Sequence, residues 1–405
     1  MSQNPKARAA EVARVSYGKL LAVLAKQTRD IALAEDALAE AFTRALETWP
    51  HEGTPEKPEA WLLTTARNKM RDQFKSAAHQ TSVSLDDIEP VMNDLDPHNI
   101  PDERLQLLFV CAHPAIDENI RTPLMLQTVL GLEAAQIASA FLVPSTAMAQ
   151  RLVRAKKKIK AAHIPFIVPE KSQMSARLEA VLEAIYGAFS IEINDTDSNP
   201  NDNEDLGLEA LYLADLLVEL LPNEAEVLGL AALLNYAASR RINSEHFTPL
   251  KEQNPATWNT PRAERADNLL ARAKEHNKLG RFQIEAAIQS VHSQRRFSGT
   301  TDWVAIVQLY EGLLHLAPTI GAVVAQASAI GEAHNAKAGL ARLGQIDPKT
   351  IENHQTAWAT RAHLLAEAGD NKNARTAFDK AISLTSNTKV RAYLEARLAL
   401  IQTSN

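Results

Sequence analysis

The residues between 151 and 160 carry six positive charges in ten positions, a chemistry suited to binding anions. The segment reads RLVRAKKKIK, and its apolar residues Leu152 and Ile159 recur at helical spacing with the preceding Met148. The cations therefore cover much of the remaining surface of a helix that has one buried stripe. Because lysine and arginine neutralise phosphates, the segment favours contact with a nucleic-acid backbone. A solvated, charged helix within a bundle is the alternative.

Cys111 and His113 bring a nucleophile and a base close together in the sequence, but no third residue is placed to orient the histidine. Cys111 follows an apolar run, which favours a buried structural cysteine. The 12 histidines show no metal-ligand spacing, and the isolated glycines form no phosphate-binding loop. The polar run DTDSNPNDNED lacks the glycine of a calcium loop. We therefore expect no enzymatic activity, no metal and no cofactor.

The composition favours an all-α fold. Hydrophobic residues make up 45% of the 405 residues and aromatic residues 5%, and long stretches are rich in alanine, leucine, glutamate and arginine. Cys111 is the single cysteine, so no internal disulfide can form. The sequence begins without an apolar signal segment and contains no apolar run of membrane-spanning length. We therefore expect a cytoplasmic protein without a membrane partner.

The net charge of −6 is unevenly distributed along the chain. Residues 1–75 hold 12 lysines and arginines against 10 acids, and residues 104–160 hold 8 against 3. Residues 76–103 hold 7 acids and neither lysine nor arginine, and three prolines interrupt them. Two basic helical units on either side of an acidic linker, followed by an acidic remainder, are typical of a nucleic-acid binder with an attached non-binding domain.

The segment from Leu132 to Lys160 has the pattern of a helix-turn-helix. The first helix carries the small Ala138 where the second must pass closely, LVPS turns the chain, and Ser145 or Thr146 can cap the second helix. In this motif the first turns of the second helix face base edges while its cations contact phosphates. The candidate DNA contacts are Ser145, Thr146, Ala147, Met148, Gln150, Arg151, Arg154, Lys156, Lys157 and Lys158.

This segment resembles the fourth conserved region of bacterial RNA polymerase sigma factors of the extracytoplasmic-function type. The family pattern is matched by Ile137–Ala138, by Val143–Pro144 and by the run RLVRAK that begins at Arg151. The resemblance implies that the second helix of the motif binds the −35 element of a promoter.

The amino-terminal unit resembles the second conserved region of the same family. Residues 33–49, LAEDALAEAFTRALETW, resemble the polymerase-binding helix, which implies contacts through Asp36, Glu40 and Phe42. Residues 60–74, AWLLTTARNKMRDQF, resemble the helix that opens and reads the −10 element. The resemblance implies contacts to the separated strand through Trp61, Thr64, Thr65, Arg67, Asn68, Lys69 and Arg71. Core packing is the alternative for Trp61.

Residues 172–405 read as helical hairpins. Near their end, one set of residues follows the roughly 34-residue tetratricopeptide pattern, and we expect it to pack helix against helix: Trp358, Ala362, Gly369, Ala374, Phe378 and Ala381. Together with CAHPAI and FLVP, this tail resembles the sigma subgroup that carries a C-terminal tetratricopeptide-like (DUF6596-like) extension. Because helical repeats present surfaces for partners, we expect the tail to bind a protein.

We predict four parts: a region 2-like domain (1–77), an acidic linker (78–103), a region 4-like helix-turn-helix domain (104–168) and a helical repeat domain (172–405). The expected function is that of an alternative sigma factor, which binds core RNA polymerase and promoter DNA and whose tail regulates it in cis. A one-component regulator with a sensory or scaffold tail, and a repeat scaffold that binds only proteins, remain open as alternatives. The −10 helix argues against the first, and the basic helix against the second.

Overall fold

The structure is a computed structural model that describes residues 5–81, 102–141, 143–194, 200–241 and 246–403. These residues form helices and contain no strand, so the predicted all-α fold is confirmed. Most of the predicted acidic linker lies outside the described residues. The chain divides into two compact units, the first comprising residues 1–191 and 201–213 and the second residues 192–200 and 214–405.

Three helices make the amino-terminal domain of the first unit: α1 (Pro5–Thr28), α2 (Ile31–Glu52) and α3 (Pro58–Thr81). α2 begins at an N-cap, because the carboxylate of Asp30 accepts a hydrogen bond of 3.2 Å from the backbone N–H of Leu33. The three helices pack against one another around a core of leucine and alanine side chains. This packing fixes which faces of α2 and α3 are left for partners.

Four shorter helices follow: α4 (Arg104–Cys111), α5 (Glu118–Thr128), α6 (Ala134–Ala140) and α7 (Ser145–Ala161). α7 carries the basic run. The prediction that Ser145 or Thr146 caps α7 is wrong, since Pro144 occupies the N-cap position and no side chain caps the helix. The extended backbone of Pro144, with φ −60° and ψ 136°, ends the turn and places Ser145 in the first helical position.

Two further helices, α8 (Lys171–Asn194) and α9 (Pro200–Leu220), contribute to the first unit. The unit therefore extends beyond residue 168, where the sequence analysis ends the helix-turn-helix domain. α9 contributes to both units, because Asn201–Leu213 belong to the first and the residues from Ala214 onward to the second. The polar run DTDSNPNDNED extends into α9, which begins at Pro200.

The second unit consists of helical hairpins and two short 3₁₀ turns. Its α-helices are α10 (Ala225–Ser239), α11 (Thr260–Glu275), α12 (Arg281–Ser293), α13 (Arg295–Ser298), α14 (Trp303–Leu316), α15 (Ile320–Ala333), α16 (Ala336–Leu343), α17 (Pro348–Ile351), α18 (Gln355–Glu367), α19 (Asn371–Leu384) and α20 (Thr388–Thr403). Neighbouring helices such as α14 and α15, or α18 and α19, bury small and branched side chains between them.

The last hairpin holds the residues of the predicted repeat. Four of them lie in one buried cluster with Leu394 and Ile401: Ala362, Ala374, Phe378 and Ala381. Trp358 packs against this cluster while partly exposed, and its indole N–H donates to the carbonyl of Glu352 at 3.2 Å. Gly369 takes a φ of +80° in the turn between α18 and α19, a conformation that favours glycine.

We expect Phe378→Ala to destabilise the last hairpin by about 3–5 kcal/mol, because the ring is 2% exposed and its removal leaves a cavity. Amide hydrogen exchange of peptides from α18 and α19 measures the change. Phe297→Ala is the matched control in the same unit, since that ring is 73% exposed. Equal protection of the hairpin in both variants would contradict this account of the packing.

Candidate nucleic-acid and polymerase interface

α3 presents a polar face because its apolar residues are confined to the opposite side. Leu62, Leu63, Ala66 and Met70 are buried at helical spacing and fix the rotation of the helix. Of the candidates for the −10 strand, Thr64 and Asn68 are exposed, and the others are half-buried: Trp61, Thr65, Arg67, Lys69 and Arg71. The structure thus brings all seven onto the outer part of one helix.

Several of these candidates already have partners within the domain. The ring of Trp61 meets that of Trp49 edge-on, with 5.6 Å between centroids. The hydroxyl of Thr65 donates to the carbonyl of Trp61 at 2.8 Å, and Arg67 Nε donates to Gln27 at 3.2 Å. Trp61 therefore packs against Trp49 and is also partly exposed. Its position is compatible with core packing and with contact to the separated DNA strand.

α2 has one face buried in the domain core and another face exposed to solvent. Ala34, Ala37, Leu38, Ala41 and Ala45 are buried against α1 and α3. Asp36 and Glu40 are exposed one turn apart, and Phe42 is half-buried. Lys69 of α3 approaches Glu40 to 3.7 Å, but both side chains are exposed enough for solvent to weaken the pair. Asp36 and Glu40 thus share an accessible, negatively charged surface, whereas the half-buried Phe42 lies on another side of the helix.

α6 and α7 pack against each other at the turn containing Val143 and Pro144. Ala138, which is 2% exposed, provides the close approach, and the N–H of Val143 donates to its carbonyl at 3.0 Å. Gln136 accepts a hydrogen bond of 2.9 Å from the N–H of Glu133 and holds the start of α6. This turn fixes the angle at which α7 leaves.

The outer face of α7 carries most of the predicted DNA contacts. Seven are exposed and Ala147 is half-buried. The exposed ones are Ser145, Thr146, Gln150, Arg151, Arg154, Lys157 and Lys158, of which Arg154 also donates to the carbonyl of Gln150. Met148 was expected both in the apolar stripe and among the DNA contacts, and its side chain is 2% exposed and belongs to the stripe with Leu152 and Ile159.

Lys156 also departs from the expectation, since it is 8% exposed and its ammonium group faces α2 rather than the outer surface. Lys156 Nζ lies 2.5 and 2.7 Å from the two carboxylate oxygens of Glu35. Lys160, one turn further along, lies 2.6 Å from the carboxylate of Asp30. The seven exposed candidates of α7 therefore remain accessible, while the ammonium groups of Lys156 and Lys160 are held by carboxylates of the amino-terminal domain.

The Lys156–Glu35 pair lies in a poorly solvated environment. Burial raises the pKa of Glu35 above the usual glutamate value, although Lys156 acts in the opposite direction. Burial and the nearby Glu35 also raise the pKa of Tyr17. The sequence analysis did not identify Asp30 and Glu35 as partners of α7. The sequence indicated only that acidic residues lie at the start of α2 and that α7 is basic.

The region around Cys111 is structural. The thiol is completely buried and lies 3.5 Å from the hydroxyl of Thr128, and burial raises its pKa to about 12. A thiol that stays protonated is a poor nucleophile. His113 accepts a hydrogen bond from the N–H of Ala115 at 3.1 Å. The expectation of a buried structural cysteine is therefore confirmed.

Helices α8 and α9 hold the beginning of the helix-turn-helix domain. Arg177 of α8 donates to the carbonyl of Phe109 at 3.2 Å. Arg104 pairs with Asp102 at 2.6 Å and with Glu209 of α9, and its guanidinium lies 4.9 Å from the ring centroid of Tyr212. Burial acts to raise the pKa of Asp102, but the hydrogen bonds and charge of Arg104 lower it overall. Sequence spacing gave no signal for these contacts.

Among the described residues, one trio of donor atoms lies close enough together to hold a metal ion: Glu332, His363 and Glu367. Glu332 also pairs with Lys251 at 2.6 Å, and His363 with Glu367 at 3.2 Å.

Comparison with known proteins gives two family matches. Residues 14–80 match Sigma-70 region 2, and residues 177–274 match a family of unknown function, DUF6596. The first match contains the candidates on α2 and α3, whereas α7 lies outside both. No helix among the described residues is long and apolar enough to cross a membrane.

One similar protein is uncharacterized protein R00370 of Rhizobium meliloti (strain 1021). It is 34% identical over 390 residues, which cover 93% of this chain and 92% of that protein. The similarity therefore extends over both compact units. No solved structure matches the chain.

We expect Lys156→Ala to destabilise the contact between α2 and α7 by about 3 kcal/mol, because it leaves the carboxylate of Glu35 buried without a cation. Amide exchange of peptides from the two helices should accelerate about a hundredfold, at 1.4 kcal/mol per factor of ten. Lys157→Ala, an exposed neighbour, is the matched control and should stay close to wild type.

The defect of Lys156→Ala should shrink as the pH falls. Without the lysine, the pKa of Glu35 rises further above its unfolded value, so the folded state binds more protons than the unfolded state. Stability then falls as pH rises through the folded pKa and recovers on acidification. An exchange difference that did not depend on pH between acidic and neutral solution would argue against Glu35 as the residue left unpaired.

Proposed function

We propose a promoter-selecting function for this chain, which belongs to the sigma-70 family and carries region 2 at its amino end and a DUF6596 domain behind it. The family acts in transcription initiation as a non-enzymatic subunit, and region 2 binds core RNA polymerase. The specific proposal is that the chain is an alternative sigma factor of the extracytoplasmic-function type and works in the cytoplasm.

The observation that carries the proposal is the arrangement of α2 and α3 within the matched region. α2 leaves Asp36 and Glu40 on an accessible face for polymerase. α3 leaves Thr64, Asn68 and the edge of Trp61 on its own outer part. Separated bases need hydrogen-bond partners and stacking surfaces, and the neighbouring cations suit the phosphate backbone. A regulator that only binds duplex DNA has no use for such a helix.

α7 supplies the second nucleic-acid surface in this proposal. Ser145, Thr146 and Gln150 lie on its first turns, where a recognition helix meets base edges, and Arg151 and Arg154 follow on the exposed side. α7 then binds the −35 element as duplex, while α3 holds the −10 strand. Two surfaces on two small domains fit a subunit that must engage both elements of a promoter.

We further propose that the carboxyl-terminal part regulates this activity in cis. The support is that α8 and α9 contact the first helix of the helix-turn-helix domain through Arg177, Glu209 and Tyr212. The DUF6596 match contains all three of these residues. The helical repeats behind them, including the hairpin of Phe378, offer a surface for a protein partner.

The decisive experiment for the sigma function is run-off transcription with core polymerase on genomic fragments. The full chain should initiate at a restricted set of promoters. Arg151→Ala and Arg154→Ala should each reduce initiation at those promoters. Where the arginine contacts a base, its loss should weaken the free energy of promoter binding by about 1–3 kcal/mol. Arg262→Ala, in the second unit, is the control. A full chain that initiates nowhere above background would refute the sigma function.

Regulation in cis is tested by replacing the contacts of α8 and α9. Arg177→Met removes the donor to Phe109 while keeping an apolar stem, and Tyr212→Phe removes only a hydroxyl that donates to Asp102 at 3.1 Å. Promoter output should change in Arg177→Met by several-fold, in either direction, and less in Tyr212→Phe. Phe378→Ala tests the repeat hairpin in the same assay. If all three variants transcribe like wild type, the carboxyl-terminal part does not regulate in cis.

A further inference from the structure

A cavity of about 630 Å³ lies in the second unit, where α10, α11 and α12 pack against one another. One stripe of α11 is buried: Ala263, Ala266, Leu269 and Ala273. A second stripe of the same helix, at the spacing i, i+3, i+4 and i+7, lines the cavity: Asp267, Leu270, Ala271 and Lys274. Cavities of roughly 300–1,000 Å³ are the size that binds small organic molecules.

The frame of this cavity is fixed without a ligand. An added Cβ on Gly229 of α10 would lie 2.7 Å from the backbone nitrogen of Gln283, so α10 and α12 approach each other closely. The carboxylate of Glu226 accepts hydrogen bonds from the N–H groups of Phe282 and Gln283, at 2.9 and 3.1 Å, and so occupies the positive end of α12. The side-chain amide of Gln283 donates to the carbonyl of Lys278 at 2.6 Å and fixes the turn before α12. A preformed cavity spares a ligand the cost of ordering its walls.

The two ends of the cavity differ in charge. At one end, the carboxylate of Asp267 accepts hydrogen bonds from the hydroxyl of Tyr236 at 2.5 Å and from Arg296 at 3.0 Å. At the other end, Lys274 and Lys278 are exposed, and the described residues offer neither ammonium group an ion pair. The acid that lines the cavity is therefore already neutralised, whereas two cations are left for an anion.

The wall between these ends is apolar. It is formed by four residues: Leu270, Ala271, Leu279 and Ala287. The side chain of Leu279 is 71% exposed, so it gains from an apolar cover. Asp267 and Lys274 are two turns apart, roughly 10 Å along the helix, which is about the length of an extended eight-carbon chain.

We propose that this cavity binds a medium-chain carboxylate, with its head group between Lys274 and Lys278 and its hydrocarbon chain along Leu270, Ala271 and Ala287. The two lysines provide the complementary charge, and the apolar wall removes the chain from water. The site goes beyond the sigma function and does not depend on it. A ligand that binds only the folded second unit also stabilises that unit by mass action.

The measurement is isothermal titration calorimetry of the full chain with octanoate. We expect a dissociation constant below about 1 mM. Octanamide, which has the same chain and no charge, should bind about tenfold more weakly, because it loses two contacts of the strength of surface ion pairs. Butyrate, which keeps the charge, should be weaker by more than about tenfold, since each buried CH₂ is worth roughly fourfold in affinity.

Two variants test the two halves of the site separately. Lys274→Gln together with Lys278→Gln should lower the affinity for octanoate to that for octanamide and leave octanamide binding unchanged. Ala287→Leu fills the cavity from α12, where the alanine is half-buried, and should weaken both compounds by about tenfold or more.

The matched controls lie on exposed positions elsewhere in the second unit. They are Lys337→Gln together with Lys372→Gln, for the charges, and Ala341→Leu, for the added side chain. Both should bind octanoate like wild type.

Three results would overturn the proposal: no octanoate binding below about 1 mM, equal binding of octanamide, or wild-type affinity in both site variants. If Ala287→Leu fails to fold, as judged by its helical circular dichroism, the exposed lysine pair decides the question alone. Run-off transcription with the wild-type chain separates this site from the sigma function. Initiation without octanoate binding refutes only the carboxylate site, and octanoate binding without initiation refutes only the sigma function.

Discussion

The ammonium group of Lys156 imposes the constraint on which the first unit depends. Lys156 follows Ala155 on α7, and it is buried because the helix rotates its apolar stripe inward and carries the lysine stem with it. A buried cation must find an anion, and Glu35 is the carboxylate that reaches it. The position of α7 against α2 is therefore fixed by one charge that cannot be left alone.

The same constraint divides the surface of α2. The alanine-rich face of α2 packs in the core of its own domain, Glu35 and Asp30 at its N-cap contact α7, and Asp36 and Glu40, the proposed polymerase contacts, are exposed. α-Helical geometry makes this division possible, because consecutive residues point about 100° apart. Glu35 and Asp36, although adjacent in the sequence, therefore lie in different surroundings.

Local patterns were sufficient to predict the helices, the turn before α7 and the last repeat hairpin. Leu62, Ala66 and Met70 lie at the spacing of a buried helical face, and Ala374, Phe378 and Ala381 do the same in α19. Such spacing predicts burial because it depends only on the helix itself. The burial of Lys156 and the contacts of Arg104 and Arg177 could not be predicted, since each partner lies far away in the chain. Met148 was misjudged because its position near the start of α7 outweighed its apolar character.

The energetics of the buried Lys156–Glu35 pair make the contact between α2 and α7 specific. Removing one partner is costly, because the other stays in a poorly solvated place without a counter-charge. Opening the contact as a whole is far cheaper, since both groups enter water together and regain the hydration that burial took from them. The Lys160–Asp30 pair, being largely exposed, adds orientation and little stability. The contact between α2 and α7 is therefore specific, because neither charge of the buried pair can be lost alone without a large cost.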